Sequence, residues 1–193
     1  MYKRQLCILR EKMYEQGRQG ILLLQQNLCA LDLYGTVHAA VSTFDTLNHI
    51  GPYAQFERAV CRSALFIEPG GVFVFDMNTP YKHETVLANH TYQLEAEDVT
   101  CLWKNEWDSA ARCTHITVDM SYPGQAQHDV ERFEEYAYTL DEIRRACEAA
   151  GLQIASVVDG EAFGPLGPES QRYCVTAVKR GDKNCNAVYK NEV

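Results

Sequence analysis

Val37-His38-Ala39-Ala40-Val41-Ser42-Thr43-Phe44-Asp45-Thr46-Leu47-Asn48-His49-Ile50 is the stretch on which the fold turns. Its first five residues are apolar, small or β-branched, apart from His38, which suits a strand buried on both faces of a parallel sheet. Polar side chains then crowd together: Ser42, Thr43, Asp45, Thr46, Asn48 and His49 fall where that strand ends and a helix should begin. In open α/β sheets the crevice at the carboxyl ends of the strands is where ligands bind. The competing reading is that Asp45 and Thr46 only cap the next helix.

Working outward, Gly51-Pro52 starts a helix through Phe56, Val60 and Leu65, stopped by Glu68-Pro69-Gly70-Gly71, and strand Val72–Phe75 follows, ending in Asp76. On the other side, Ile21-Leu22-Leu23-Leu24 is a short unbroken apolar run, read as a second buried strand that delivers Asn27 at its carboxyl end. A surface turn at Asn27 is the alternative. Before it, residues 5–16 predict a helix with Leu6, Leu9 and Met13 on one face and Gly17 as its stop. Successive βα units with short connections make a right-handed parallel sheet the economical fold.

The middle of the chain alternates instead. Val99–Trp107, Thr114–Tyr122 and Glu131–Tyr138 predict three antiparallel strands, an insertion over about 92–138 that either covers the strand ends or merely decorates the surface. Thr139-Leu140-Asp141-Glu142 is a capping box for a helix ending at Gly151. Strands Leu152–Val158 and Tyr173–Val178 have no helix between them and should pair antiparallel. The expected organisation is one domain over 1–180 and a polar, disordered tail over 181–193.

Composition narrows the function classes. With 193 residues, 46% hydrophobic, the chain can bury one core, and no apolar run approaches the ~20 residues a membrane span needs. The N-terminal residues lead into no signal-peptide segment, so a cytoplasmic location is expected. A net charge of −8 argues against nucleic acid as a partner. The eight cysteines are scattered, and neither they nor the six histidines show metal-type spacing, so no metal is expected.

The order of elements, with Phe44–Ile50 and Glu68-Pro69-Gly70-Gly71-Val72-Phe73-Val74-Phe75-Asp76, resembles the Rossmann-like S-adenosylmethionine-dependent methyltransferases over residues 6–179. The resemblance implies an α/β fold: a mostly parallel sheet with an antiparallel last strand, the three-stranded cover inserted, and the first two strands missing. It implies S-adenosylmethionine as cofactor and a small-molecule methyl acceptor. It also implies cofactor contacts from Asn27, Leu28, Ser42, Thr43, Phe44 and Asn48, catalytic roles for Asp45 and His49, and substrate contacts from Asp76 and Tyr81. Trp103 shares a strand face with Trp107, so the two are expected either to form an apolar wall for the acceptor, through which the insertion governs its choice, or to pack that face onto the sheet. Asn27 departs from the family's usual Asp at its position, which alters the donor and acceptor groups offered to adenine. Asp45 and His49 are the candidates for a base if the acceptor is still protonated.

The family's glycine-rich loop and the acidic residue that holds the ribose hydroxyls find no match in this sequence. An N-terminally truncated or misassembled reading frame is therefore expected, with residues 1–5 belonging to the junction, and natural loss of two strands is the alternative. A non-catalytic remnant that packs against a partner competes with the enzyme reading, and a hydrolase stands third, since no Gly-x-Ser-x-Gly elbow occurs. The chain is expected to bind S-adenosylmethionine weakly or not at all. Micromolar affinity by calorimetry would overturn that expectation.

Overall fold

The computed structural model describes residues 2–125 and 127–181. The chain runs α1 (Tyr2–Glu15), β1 (Val37–Ser42), α2 (Tyr53–Leu65), β2 (Ile67–Asn78), β3 (Thr91–Ala96), β4 (Val99–Asp108), β5 (Cys113–Ser121), β6 (Asp129–Tyr136), α3 (Leu140–Ala149), β7 (Leu152–Asp159) and β8 (Arg172–Lys179). Short 3₁₀ turns occupy Leu28–Ala30 and Thr46–His49, and a π-helical turn occupies Lys82–Leu87. The anticipated tail falls on residues 182–193, outside the described residues. No helix among those described is long and apolar enough to cross a membrane.

The core sheet has the order β1-β2-β8-β7. β1 and β2 pair in parallel, and β8 runs antiparallel between β2 and β7, so three of the four strands point the same way. Alternation along β2 buries Phe73, Phe75 and Met77. Those side chains pack with Phe56, Val60 and Ala64 of α2, Ile143, Ala146 and Cys147 of α3, and Leu152, Val175 and Ala177. The capping box expected at Thr139 is present: its hydroxyl accepts from the Glu142 backbone and the Glu142 carboxylate accepts from the Thr139 N–H. Of the residues named along α2, Phe56 and Val60 are buried and Leu65, its last residue, is 44% exposed.

Three expectations need correction. Residues 21–27 form no strand, and Ile21 and Leu22 are 56% and 66% exposed. An apolar run becomes a strand only where a neighbouring backbone completes its hydrogen bonds, and among the described residues none lies beside it. β1, expected to be buried on both faces, is for the same reason the edge of its sheet, with Val41 69% exposed. The cover has four strands rather than three, in the order β3-β4-β5-β6. β3 was overlooked although Thr91-Tyr92-Gln93-Leu94-Glu95-Ala96 alternates polar and apolar residues, and all six are exposed in the fold.

One amide joins the two sheets. Asn48, fully buried, donates through Nδ2 to the carbonyls of Asn78 (3.2 Å) and Tyr136 (2.8 Å), while its Oδ1 accepts from the Asn78 N–H at 2.9 Å. Asn78 ends β2 and Tyr136 ends β6, so the clasp fixes the end of the core sheet against the end of the cover. Gly51 lies beneath the Tyr136 ring, where a Cβ would come within 2.3 Å of ring carbons. A second junction is His83, fully buried, with Nδ1 2.9 Å from the Thr114 hydroxyl and its ring stacked on Trp107.

Two stability predictions result. Asn48→Ala strands at least two buried backbone groups at about 1–3 kcal/mol each, so urea unfolding should show a loss of about 3 kcal/mol. A loss under ~1 kcal/mol would remove the clasp. Burial lowers the His83 pKa from 6.5 to about 4. The unfolded chain therefore takes up a proton that the folded chain refuses between those pH values, and stability falls as pH drops from 6.5 to 4. The difference is worth roughly 3 kcal/mol. In His83→Gln that part of the decline should vanish, and parallel pH–stability curves for the two proteins would refute it.

Candidate active site

The site is assembled where β1 and β2 end beneath the cover. After β1 the chain reverses through Phe44 and Asp45, both left-handed at φ 57° and 48°, a conformation that non-glycine residues adopt at a cost. The Asp45 N–H donates to Asp76 Oδ1 at 3.1 Å, which holds the turn. Asp45 makes no helix-capping bond with its side chain, so the capping alternative does not describe it. Instead, Asp45 Oδ2 accepts from Asn78 Nδ2 at 2.8 Å, and the same nitrogen reaches Glu135 Oε2 at 3.2 Å.

Around this bridge three carboxylates face two cations. Arg172, opposite Asn78 in the β2–β8 ladder, pairs closely with Asp76 and lies 3.5 Å from Asp45 Oδ1. Lys82 Nζ donates to Asn78 Oδ1 at 3.0 Å. His49 Nε2 lies 3.7 Å from Glu135 Oε1, and its Nδ1 lies 3.1 Å from the Glu134 carbonyl. A donated Nδ1–H there leaves Nε2 with the free lone pair that faces Glu135. Burial pushes the Glu135 carboxyl up, and the Asp45 charge pushes it further. Lys82 is drawn down by burial and then by Arg172. Both shifts favour the neutral forms and bring an acid and a base closer in proton affinity.

The donor atoms of Asp45, His49 and Glu135 lie within 4.8 Å of one another. A metal there would have to displace Asn78 from both carboxylates and sit beside Lys82 and Arg172, so the set is better suited to handling protons.

The sequence-predicted residues divide by position. Asp45 and His49 meet at the cluster, and Asp76 supports it through Arg172 and the Asp45 N–H. Leu28, Ser42 and Thr43 line an apolar cleft of about 390 Å³ with Val41, Thr46 and Phe73. Ser42 Oγ is buried there without a partner. Trp103 packs edge-on against Phe133, which meets the His49 ring in turn. Tyr81 immediately precedes the π-helical turn.

Other placements differ from expectation. Asn27 does not end a strand; its side chain accepts from the Cys29 N–H and caps a 3₁₀ turn. Asn48 is spent in the clasp and offers nothing to a ligand. Phe44 is 83% exposed on the reversed turn and does not line the cleft. Glu135, Asn78, Lys82 and Arg172 were missed as members of the site. Glu135 falls in a strand rich in acids, and only the pairing of β6 with β5 shows which of them points inward.

No family model matches the sequence, and no curated protein does. Solved structures do match. A S-adenosylmethionine-dependent methyltransferase from Clostridium acetobutylicum ATCC 824 superposes with a TM-score of 0.80 at 21% identity, over 89% of this chain and 70% of that one. The sugar N-methyltransferase KedS8 from Streptoalloteichus sp ATCC 53650 gives 0.64 at 18% identity, over 86% and 65%. The amino pentose methyltransferase CalS10 from Micromonospora echinaspora, solved with S-adenosylmethionine bound, gives 0.59 at 19% identity, over 80% and 63%. The chain thus spans a little under two thirds of the length of the last two. The chain therefore shares the α/β fold of these solved methyltransferases, a mostly parallel sheet with an antiparallel strand and an inserted antiparallel sheet.

Proposed function

We propose that this protein transfers a methyl group from S-adenosylmethionine to the nitrogen of a small-molecule amine. The observation that carries the reading is the Asn78 amide bridging the Asp45 and Glu135 carboxylates, with His49 beside them, at the carboxyl ends of β1 and β2. The structural neighbours described as amino pentose and sugar N-methyltransferases support an amine as acceptor.

Leu28, Ser42 and Thr43 would hold the nucleoside side of the cofactor: the cleft is apolar, and the unpartnered Ser42 hydroxyl needs a polar partner. Among the described residues no carboxylate lines that cleft to receive ribose hydroxyls, which accords with weak binding. S-adenosylmethionine, when bound, supplies a methyl group on a positively charged sulfur. Such chemistry asks the protein mainly to align the nucleophile and exclude water.

The amine must shed a proton to attack or after attacking. Glu135 is the group placed to take it, its raised proton affinity being a better match to an amine than that of an ordinary carboxylate. His49 Nε2, 3.7 Å away, can pass the proton outward. Asp45 supplies the fixed negative charge that favours a cationic acceptor, held in place by Asn78 and Arg172. Trp103 and Tyr81 would bound the acceptor space, and Asp76 would act through Arg172.

A second reading, a non-catalytic methyltransferase-like module that packs on a partner, is favoured by the free edge of β1, where Val41 and Phe44 stand 69% and 83% exposed.

The readings separate on turnover. Incubated with S-adenosylmethionine and a panel of amines, amino sugars and their hydroxyl analogues, the protein should release S-adenosylhomocysteine and N-methylated product. Glu135→Gln and Asp45→Asn should each lower kcat by ~10²-fold. Thermal stability of Asp45→Asn should barely change, since Asn tolerates the left-handed turn. No turnover with any amine at millimolar cofactor would leave the packing module standing and sink the enzyme.

A further inference from the structure

The cover sheet has a second face. Along β5 and β6 side chains alternate, so Thr114, Ile116, Phe133 and Glu135 share one face while Cys113, His115, Glu134 and Tyr136 share the other, on which Cys113 is buried and His115 and Glu134 are exposed. His115 stands directly across from Glu134 on one side and Glu106 on the other, and Cys113 stands across from Tyr136 and Asp108. His115 Nδ1 lies 3.2 Å from Glu134 Oε1. Glu134 Oε2 accepts from the Tyr136 hydroxyl at 2.8 Å. One donor atom each from Cys113, His115 and Glu134 fall within 4.8 Å of one another.

We propose that Cys113, His115 and Glu134 form a binding site for a divalent cation of the zinc class. A surface His–Glu pair over a buried cysteine is the simpler account of these residues. Three features favour the ion. The donors are a thiol sulfur, an imidazole nitrogen and a carboxylate oxygen, the mixture that selects zinc or cobalt over magnesium or calcium. A tetrahedral ion with bonds of ~2.0–2.3 Å holds its donors roughly 3.3–3.7 Å apart. The imidazole and carboxylate come within 3.2 Å of each other, and the thiol sulfur lies within 4.8 Å of both.

The backbone is also set in advance. Continuous ladder pairing from Cys113–Tyr136 through His115–Glu134 fixes the relative positions of all three residues. The side chains of His115 and Glu134 are about half exposed, which leaves a solvent-facing side for a water as fourth ligand. Asp108 shares this face and adds to its attraction for a cation, while Glu106 on the same face is paired with Lys104 at 2.9 Å. Tyr136 completes the arrangement, because a hydroxyl that donates to a ligating carboxylate orients it. Sequence spacing conceals the site: the ligands are two residues apart on one strand and nineteen further along on another.

Cobalt(II) is the probe, because a bound thiolate gives it an intense near-ultraviolet charge-transfer band whatever the protein's activity. Titration of the full chain should produce that band with one-to-one stoichiometry, and added zinc should bleach it. His115→Ala and Glu134→Gln, at exposed positions that leave folding intact by circular dichroism, should each weaken cobalt affinity by at least ~10-fold. Cys113→Ser should abolish the band. If that buried substitution prevents folding, the two surface variants decide the matter alone. Absence of the band, or a band of unchanged affinity in both surface variants, overturns the site.

Discussion

The structure depends on the Asn48 amide. It is the only side chain described here that bonds the main chain at the end of β2 and at the end of β6, and it does so from a fully buried position. A buried amide costs free energy unless its groups are bonded, so this one is stable only when both sheet ends are in place. The same position brings Asn78 into line, and Asn78 then spends its own side chain on Asp45, Glu135 and Lys82. The clasp and the acidic cluster are therefore successive links of one polar network that starts in the core and ends at the site. Its outer links are charged and partly exposed, while its inner links are neutral and dry.

The parts of the fold legible in the sequence were those governed by local periodicity and local chemistry. α2, α3 with its capping box, β2, and the antiparallel pair β7–β8 all carry strong apolar patterns or recognisable stops. What escaped depends on partners far along the chain. Ile21–Leu24 has the composition of a buried strand but, among the described residues, no backbone beside it, while β3 has a backbone beside it and an alternating pattern yet buries none of its residues. Propensity describes what a segment can do, and pairing decides what it does.

The site shows the same division. Asp45 and His49 were visible because polar residues crowd together after an apolar run. Glu135, Lys82 and Arg172 were not, since each sits in a stretch where charge is ordinary and only tertiary structure turns it inward. Asn27 and Asn48 drew attention for the same reason as Asp45, yet their short amides had local or structural bonds to make. The sequence marks where polar groups are dense. Which of them are left over after the backbone has been satisfied is a property of the fold.

Adjacent glutamates on β6 serve opposite faces, Glu134 outward beside His115 and Glu135 inward beside Asn78. Strand geometry has a period of two, so slipping β6 by a single residue against β5 would exchange its two faces, turning Phe133 outward and carrying Arg132 inward. Evolution can therefore lengthen or shorten this hairpin freely at its distal turn, around Pro123 and Gly124. Between that turn and the Asn48 clasp, related chains should differ by even numbers of residues or by none, a parity rule written into the sheet rather than into any one side chain.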